Sequence, residues 1–128
     1  MTYELDVLDG TFKAAADLSS YQYCFVELST DNTVAKFGTA SSIAIGVLQN
    51  KPTAAGQAAR VRVLGVSRVR ASDDETYGTK IGATTDGEGL MMSTDKDLYY
   101  GVCLEGNATH AGSETSTVLL TGLNFYHV

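Results

Sequence analysis

The sequence predicts an all-β protein, a small single-domain β-barrel or β-sandwich with an N-terminal arm that can extend. Three observations predict it. Short apolar and β-branched runs recur along the chain, as at residues 23–28, 33–37 and 41–48. Turn chemistry separates them at Asp9-Gly10, Asp31-Asn32, Asn50-Lys51-Pro52 and Asp86-Gly87. Nowhere does an amphipathic helical period persist for three turns, so short strands joined by turns remain.

At 128 residues the chain reads as one domain. A domain of this size buries roughly two-thirds of its unfolded surface and needs neither disulfide nor metal to fold. The net charge of −6 and pI near 4.7 disfavour direct nucleic-acid binding, whose footprint is basic. No apolar run reaches membrane-spanning length, and no basic-then-apolar leader opens the sequence. The expectation is a soluble protein made in the cytoplasm, with no membrane partner.

In chain order, residues 1–20 form the arm and residues 21–128 the all-β domain. Within the arm, Tyr3, Leu5 and Val7 alternate with Glu4 and Asp6 as an edge strand does, and residues 13–18 suit a single helical turn. Such a segment can also order only against a neighbour. Residues 23–28 and 33–37 make a hairpin around Asp31-Asn32. The next strand carries Ile43, Ile45 and Val47. Pro52 and Gly56 then mark a loop, Pro52 by fixing φ and Gly56 by tolerating positive φ. The long strand from Arg60 alternates, placing Val61, Val63, Ser67 and Val69 on one side and Arg60, Arg62, Arg68 and Arg70 on the other. Weaker strands follow at 79–85, 90–92, 98–105 and 117–121, with acidic turns at 72–75 and 95–97.

One phrase occurs twice. Gly46-Val47-Leu48, a loop glycine at Gly56 and a strand glycine at Gly65 return as Gly101-Val102-Cys103, Gly112 and Gly122. Two copies are too few for a solenoid, which needs about three stacked units. Two similar hairpins within one domain are expected.

No catalytic constellation emerges. Ser67 lies mid-strand and lacks the strand-to-helix turn of a nucleophile elbow. His110 and His127 have no evident partner. Gly78-Thr79-Lys80 lacks the leading glycine and following helix of a phosphate loop. The carboxylates at 86–88 and 95–97 miss calcium-loop spacing, and Asn107-Ala108-Thr109 matters only in a secreted chain. Cys24 and Cys103 sit in apolar runs and read as buried free thiols, since neither metal spacing nor a secretory context is present. No catalytic, cofactor or metal residue is therefore assigned, and no small-molecule substrate is expected. The arginine row is the best surface signal. Either intramolecular carboxylates answer it, or it meets an acidic protein surface, where arginine's planar fork suits carboxylates.

The pattern Gly46-Val47-Leu48-Gln49-Asn50-x-Pro52, Ala55-Gly56, Ala59-x-Val61-x-Val63-x-Gly65 resembles the capsid cement, or head decoration, proteins of tailed bacteriophages. It looks most like the small phage proteins formerly mislabelled as recombinase-like. Residues 78–87, Gly101-Val102-Cys103-Leu104-Glu105 and 112–120 extend the resemblance, which covers about residues 20–122. Cys103 departs from it, standing where a small alanine is usual, as do the pairs Tyr99-Tyr100 and Phe125-Tyr126. The resemblance implies a non-enzymatic virion protein, commonly a homotrimer, on the capsid exterior, bridging major capsid protein subunits. In that setting Tyr3, Leu5, Val7, Arg60, Arg62, Arg68 and Arg70 become candidate capsid or trimer contacts. Alternatives are a carbohydrate- or surface-binding β-sandwich, which needs a platform of exposed tyrosines because tryptophan is absent, a tail or baseplate protein, and a small β-barrel enzyme.

Overall fold

A computed structural model describes residues 4–38, 43–72, 75–92, 98–106 and 115–125. The described residues form strands and no helix: β1 (Leu5–Ala14), β2 (Phe25–Thr30), β3 (Thr33–Lys36), β4 (Ala44–Leu48), β5 (Ala58–Arg70), β6 (Lys80–Ala83), β7 (Gly89–Met91), β8 (Leu98–Glu105) and β9 (Thr115–Phe125). The all-β expectation holds, and the architecture is a barrel. The strands run in the order β1-β3-β2-β4-β5-β9-β8-β6-β7, and β1 also pairs with β5. That pairing closes the first five strands into a ring, which removes the edges an open sheet exposes.

Residues 1–20, set apart above as an arm, carry the strand that closes this ring. β1 runs antiparallel to β5, with Gly10 opposite Val61 and Phe12 opposite Ala59. It runs parallel to β3 through Lys13 and Ala14. The helical turn expected from residue 13 does not form, because Lys13 and Ala14 are held in these two ladders.

The twice-used phrase extends much further than two hairpins. β5 serves as the last strand of one barrel and the first of another, in which β5, β9, β8, β6 and β7 follow in order. An isolated parallel bridge between Ala71 and Gly89 draws the second half toward a ring at the position that the parallel pair Ala14 and Val34 holds in the first, where the β1–β5 ladder completes the closure. Register agrees throughout. Val26 faces Gly46 as Ile81 faces Gly101. Val47 and Leu48 face Arg62 and Val61 as Val102 and Cys103 face Leu119 and Val118. Tyr23 (φ 67°) and Gly78 (φ 80°) occupy the same left-handed corner. Each donates its amide to the matching carbonyl, of Leu48 and of Cys103, at 2.7 Å. Gly65, at φ 120°, lies where β5 leaves β4 for β9, a backbone state that disfavours any side chain.

Two apolar clusters follow from this duplication. The first barrel is filled by Ala14, Leu18, Val26, Val34, Leu48, Ala59 and Val61, with Phe12 packed against them. The second barrel places Ala71, Glu75, Ile81, Gly89, Cys103, Ser116 and Val118 at the matching positions. Its core is therefore more polar, with a glutamate in the place of Leu18 and a serine in the place of Ala59, both buried. The second cluster also takes in Phe25, Phe37, Ala44 and Val47 from the outer wall of the first barrel. The end of the second barrel rests on that wall: the Phe25 and Tyr100 rings lie 5.3 Å apart, and the Ala44 amide donates to the Tyr100 hydroxyl at 3.1 Å. Both faces of β4 and of the first residues of β2, Phe25 and Val26, are thus covered. The alternation of Ile43, Ile45 and Val47 breaks at this point, with Ile45 packing on the first cluster and Val47 within the second. A register shift in the β2–β4 ladder accompanies the break.

Candidate interaction surface

The arginine row lies on β5, and its face is shared with β1. The antiparallel register sets Asp9 opposite Arg62 and Thr11 opposite Arg60, which brings the carboxylates of one strand beside the guanidinium groups of the other. Arg62 differs from the outward, solvated side chain that alternation predicts, because it is buried at 6% exposure. Its Nε and Nη2 donate to the two carboxylate oxygens of Asp9 at 2.9 and 3.3 Å. Its Nη1 donates to Glu4 Oε1 at 3.3 Å and to the Val66 carbonyl at 3.0 Å. This fork-on-fork geometry satisfies a guanidinium away from water.

The other three arginines are less enclosed. Arg60 Nε stands 3.6 Å from Asp9 with its side chain half exposed. Arg68 Nε lies 3.9 Å from Glu4 Oε2, beyond hydrogen-bond length, and that buried nitrogen makes no hydrogen bond. The Arg68 guanidinium is also 5.8 Å from the centre of the Tyr23 ring, within cation–π range. Arg70 Nη1 donates to the Ser20 carbonyl at 3.0 Å. Intramolecular carboxylates therefore answer Arg60, Arg62 and Arg68, and the row is no free basic stripe.

Of the remaining candidates, Val7 is 73% exposed, next to the half-exposed Leu8. Leu5 pairs through its backbone with Val66, and Tyr3 lies outside the described residues. β1 thus joins Val7 to the arginine face. Alternation on one strand could not show that Glu4 and Asp9 belong to this face, because the pairing spans a long stretch of chain. The acidic residues of β1 were the available signal.

The residues considered for chemistry are placed as follows. The Ser67 hydroxyl is fully buried. It accepts from Gln49 Nε2 at 2.9 Å and donates to the Arg68 carbonyl at 2.8 Å, so it is bound within the strand and is not presented as a nucleophile. Both thiols are free and buried, and burial pushes each up to about 11. Nearby Glu75 adds to the effect at Cys103. Among the described residues no group of His, Cys, Asp and Glu is arranged to hold a metal ion, and no helix is long and apolar enough to cross a membrane. His110, His127, the Asn107 triplet and the 95–97 turn lie outside the described residues. Tyr77 is 75% exposed, whereas the Tyr21 and Tyr99 rings lie under Lys36 and Lys80 at 5.6 and 5.8 Å.

No protein-family model matches this chain, and no curated protein matches it in sequence. Among solved structures it is similar to the N base of the head fiber protein gp8.5 of bacteriophage phi29, with a TM-score of 0.59 and 15% identity. The likeness covers 94% of this chain and 98% of that one. At that identity it establishes a common fold.

Proposed function

We propose that this chain is a non-enzymatic structural protein of a tailed-bacteriophage virion. In this reading it is made in the host bacterial cytoplasm, binds the outside of the capsid as a homotrimer, and stabilises the shell by bridging major capsid protein subunits. The observation that carries the reading is the near end-to-end correspondence of its fold with a phage head-fiber base. The cement-protein pattern in residues 20–122 supports the same assignment independently. So does the all-β architecture, a closed barrel extended by further strands, because such a body suits a structural part.

The capsid-facing surface in this reading is the β1–β5 face. Val7 and Leu8 supply exposed apolar area, and Arg60 and Arg68 supply partly exposed charge at its margin. Arg62 acts from beneath by fixing β1 to β5. Three copies of such a patch turn modest contacts into firm attachment through effective concentration.

The test is co-sedimentation of the purified protein with expanded, empty phage capsids. Saturable binding at an icosahedral stoichiometry, reduced by Val7→Asp or by Arg60→Glu, is the expected result. Absence of binding to any expanded capsid, together with a positive glycan-array signal, would transfer the assignment to the carbohydrate-binding alternative.

A further inference from the structure

The seam between β1 and β3 is short, and a hollow opens beside it. β1 meets β3 only through Lys13 and Ala14. Where the two strands part, Thr11, Phe12, Lys13, Asn32, Gly56 and Ala58 line a cavity of about 490 Å³. That volume falls in the ~300–1,000 Å³ range of small-ligand sites, which favour the mouths of barrels. Its walls are fastened to one another. The Lys13 amide donates to the Asn32 carbonyl at 2.9 Å, and the Gly56 amide to the Ala14 carbonyl at 2.8 Å, which ties β1 to the hairpin tip and to the loop before β5. Asn32 at φ 53° and Gly56 at φ 87° form two left-handed corners. A Cβ built on Gly56 would meet nothing within 4 Å, so the backbone there is open to a ligand. Phe12 packs against the first apolar cluster yet stays half-buried. Its ring lies over Gly10, where a Cβ would come 2.9 Å from Phe12 Cε1.

The polar groups around this ring have no internal use. Among the described residues the side chains of Thr11, Lys13 and Asn32 make no hydrogen bond or ion pair. Elsewhere on β1 and β5 charge is answered within the chain: Asp9 pairs with Arg62 and Arg60, and Glu4 with Arg62. Asp31 lines an adjoining hollow formed by residues 28–32 and does not line this one. The hollow therefore holds an uncompensated ammonium, a carboxamide, a hydroxyl and part of an aromatic ring.

We propose that this hollow binds an anionic sugar residue. A pyranose presents C–H groups on one face, which suit the apolar Phe12 ring. The hydroxyls around its edge suit Asn32 and Thr11, whose side chains can both donate and accept. Its carboxylate or phosphate pairs with the Lys13 ammonium. A neutral apolar ligand would desolvate Lys13 and Asn32 without giving them partners, and a bare anion would leave the ring untouched. This inference does not rest on the capsid reading. A chain that seats on capsids and ignores sugars fails this inference alone, and one that binds these sugars but no capsid fails the other alone.

The experiment is an amide NMR titration of the full chain with three probes that share one ring: glucose, glucuronate and glucose 6-phosphate. Shifts are expected at Thr11, Phe12, Lys13, Asn32, Gly56 and Ala58 with an anionic probe at a dissociation constant of about 1 mM, and at least about tenfold weaker with glucose. Whichever anion binds more tightly identifies the source of the charge. Lys13→Ala should weaken the anionic probes about tenfold and leave glucose unchanged. Asn32→Gly, which suits a left-handed corner, should weaken all three about threefold. Both residues are exposed, so both variants are expected to fold. The inference is overturned if no probe shifts these amides at about 20 mM, if glucose matches its anionic forms, or if Lys13→Ala binds them as the parent does. Inorganic phosphate binding as tightly as glucose 6-phosphate would also overturn it, since the sugar ring would then contribute nothing.

Discussion

Replacing Asp9 by Asn tests whether the β1–β5 joint rests on an enclosed ion pair. The Arg62 side chain is 7% exposed and that of Asp9 16%, so water barely screens the pair. Removing one partner of such a pair costs about 3–5 kcal/mol, because the other charge is left desolvated. Arg62 retains Glu4 and the Val66 carbonyl, which places the expected loss near the lower end, at about 3 kcal/mol. With a urea dependence of about 2 kcal/mol per molar for a domain of this size, the unfolding midpoint falls by about 1.5 M. Arg62→Leu leaves Asp9 and Glu4 without their buried cation, with only Arg60 3.6 Å from Asp9, and should cost about as much as Asp9→Asn. Adding Asp9→Asn to Arg62→Leu should then change little, which a double-mutant cycle read by equilibrium urea denaturation would show. An Asp9→Asn midpoint within about 0.5 kcal/mol of the parent would refute the account, since a solvated pair has that little to lose.

Three further outcomes follow from the structure. A Cβ on Gly46 would meet the Arg62 carbonyl oxygen and Val61 Cγ1, and one on Gly101 the Leu119 carbonyl oxygen and Val118 Cγ1. Gly46→Ala and Gly101→Ala should therefore each destabilise by about 2–3 kcal/mol in thermal or urea melts, and a neutral effect at either would break the equivalence. Cys24 and Cys103 should resist aromatic disulfide reagents in the native state at pH 8 and react fully once the chain is unfolded; rapid native labelling would contradict their burial. Between pH 9 and about 11 the unfolded thiols release protons that the folded ones, pushed up to about 11, retain. The unfolded state then binds fewer protons, so stability falls as pH rises through that window, and replacing both cysteines by alanine should flatten the fall.

Much of this fold is legible in the sequence because strands announce themselves through alternation and turns through particular residues. Asp31-Asn32 gives a hairpin with Asn32 at φ 53°, and Asp86-Gly87 a turn with Gly87 at φ 83°. What alternation cannot display is which strand lies alongside. Arg62 looks like its neighbours Arg60 and Arg68 along the chain, and only the distant pairing with Asp9 makes it an interior residue. Phe25 and Val47 carry a faint signal, since apolar residues on both phases of a strand suggest cover on both faces. The duplication was visible as a repeated glycine-valine phrase. Its extent was concealed because the second barrel holds Glu75, Cys103 and Ser116 where the first holds Leu18, Leu48 and Ala59. The parallel contacts are two residue pairs between β1 and β3 and one bridge between Ala71 and Gly89, and parallel contacts that short leave no sequence period.

The shared strand has a mechanical consequence. Most duplicated proteins join their halves through a linker, which lets one half melt or swing while the other persists. In this chain the thirteen residues of β5 contribute backbone hydrogen bonds to both rings, with no hinge between them. Loss of β5 from either ring strips the other of a wall, so the two halves are expected to melt in one cooperative step and to exchange their β5 amides only through global opening. A load applied at one end reaches the other through a continuous hydrogen-bonded strand.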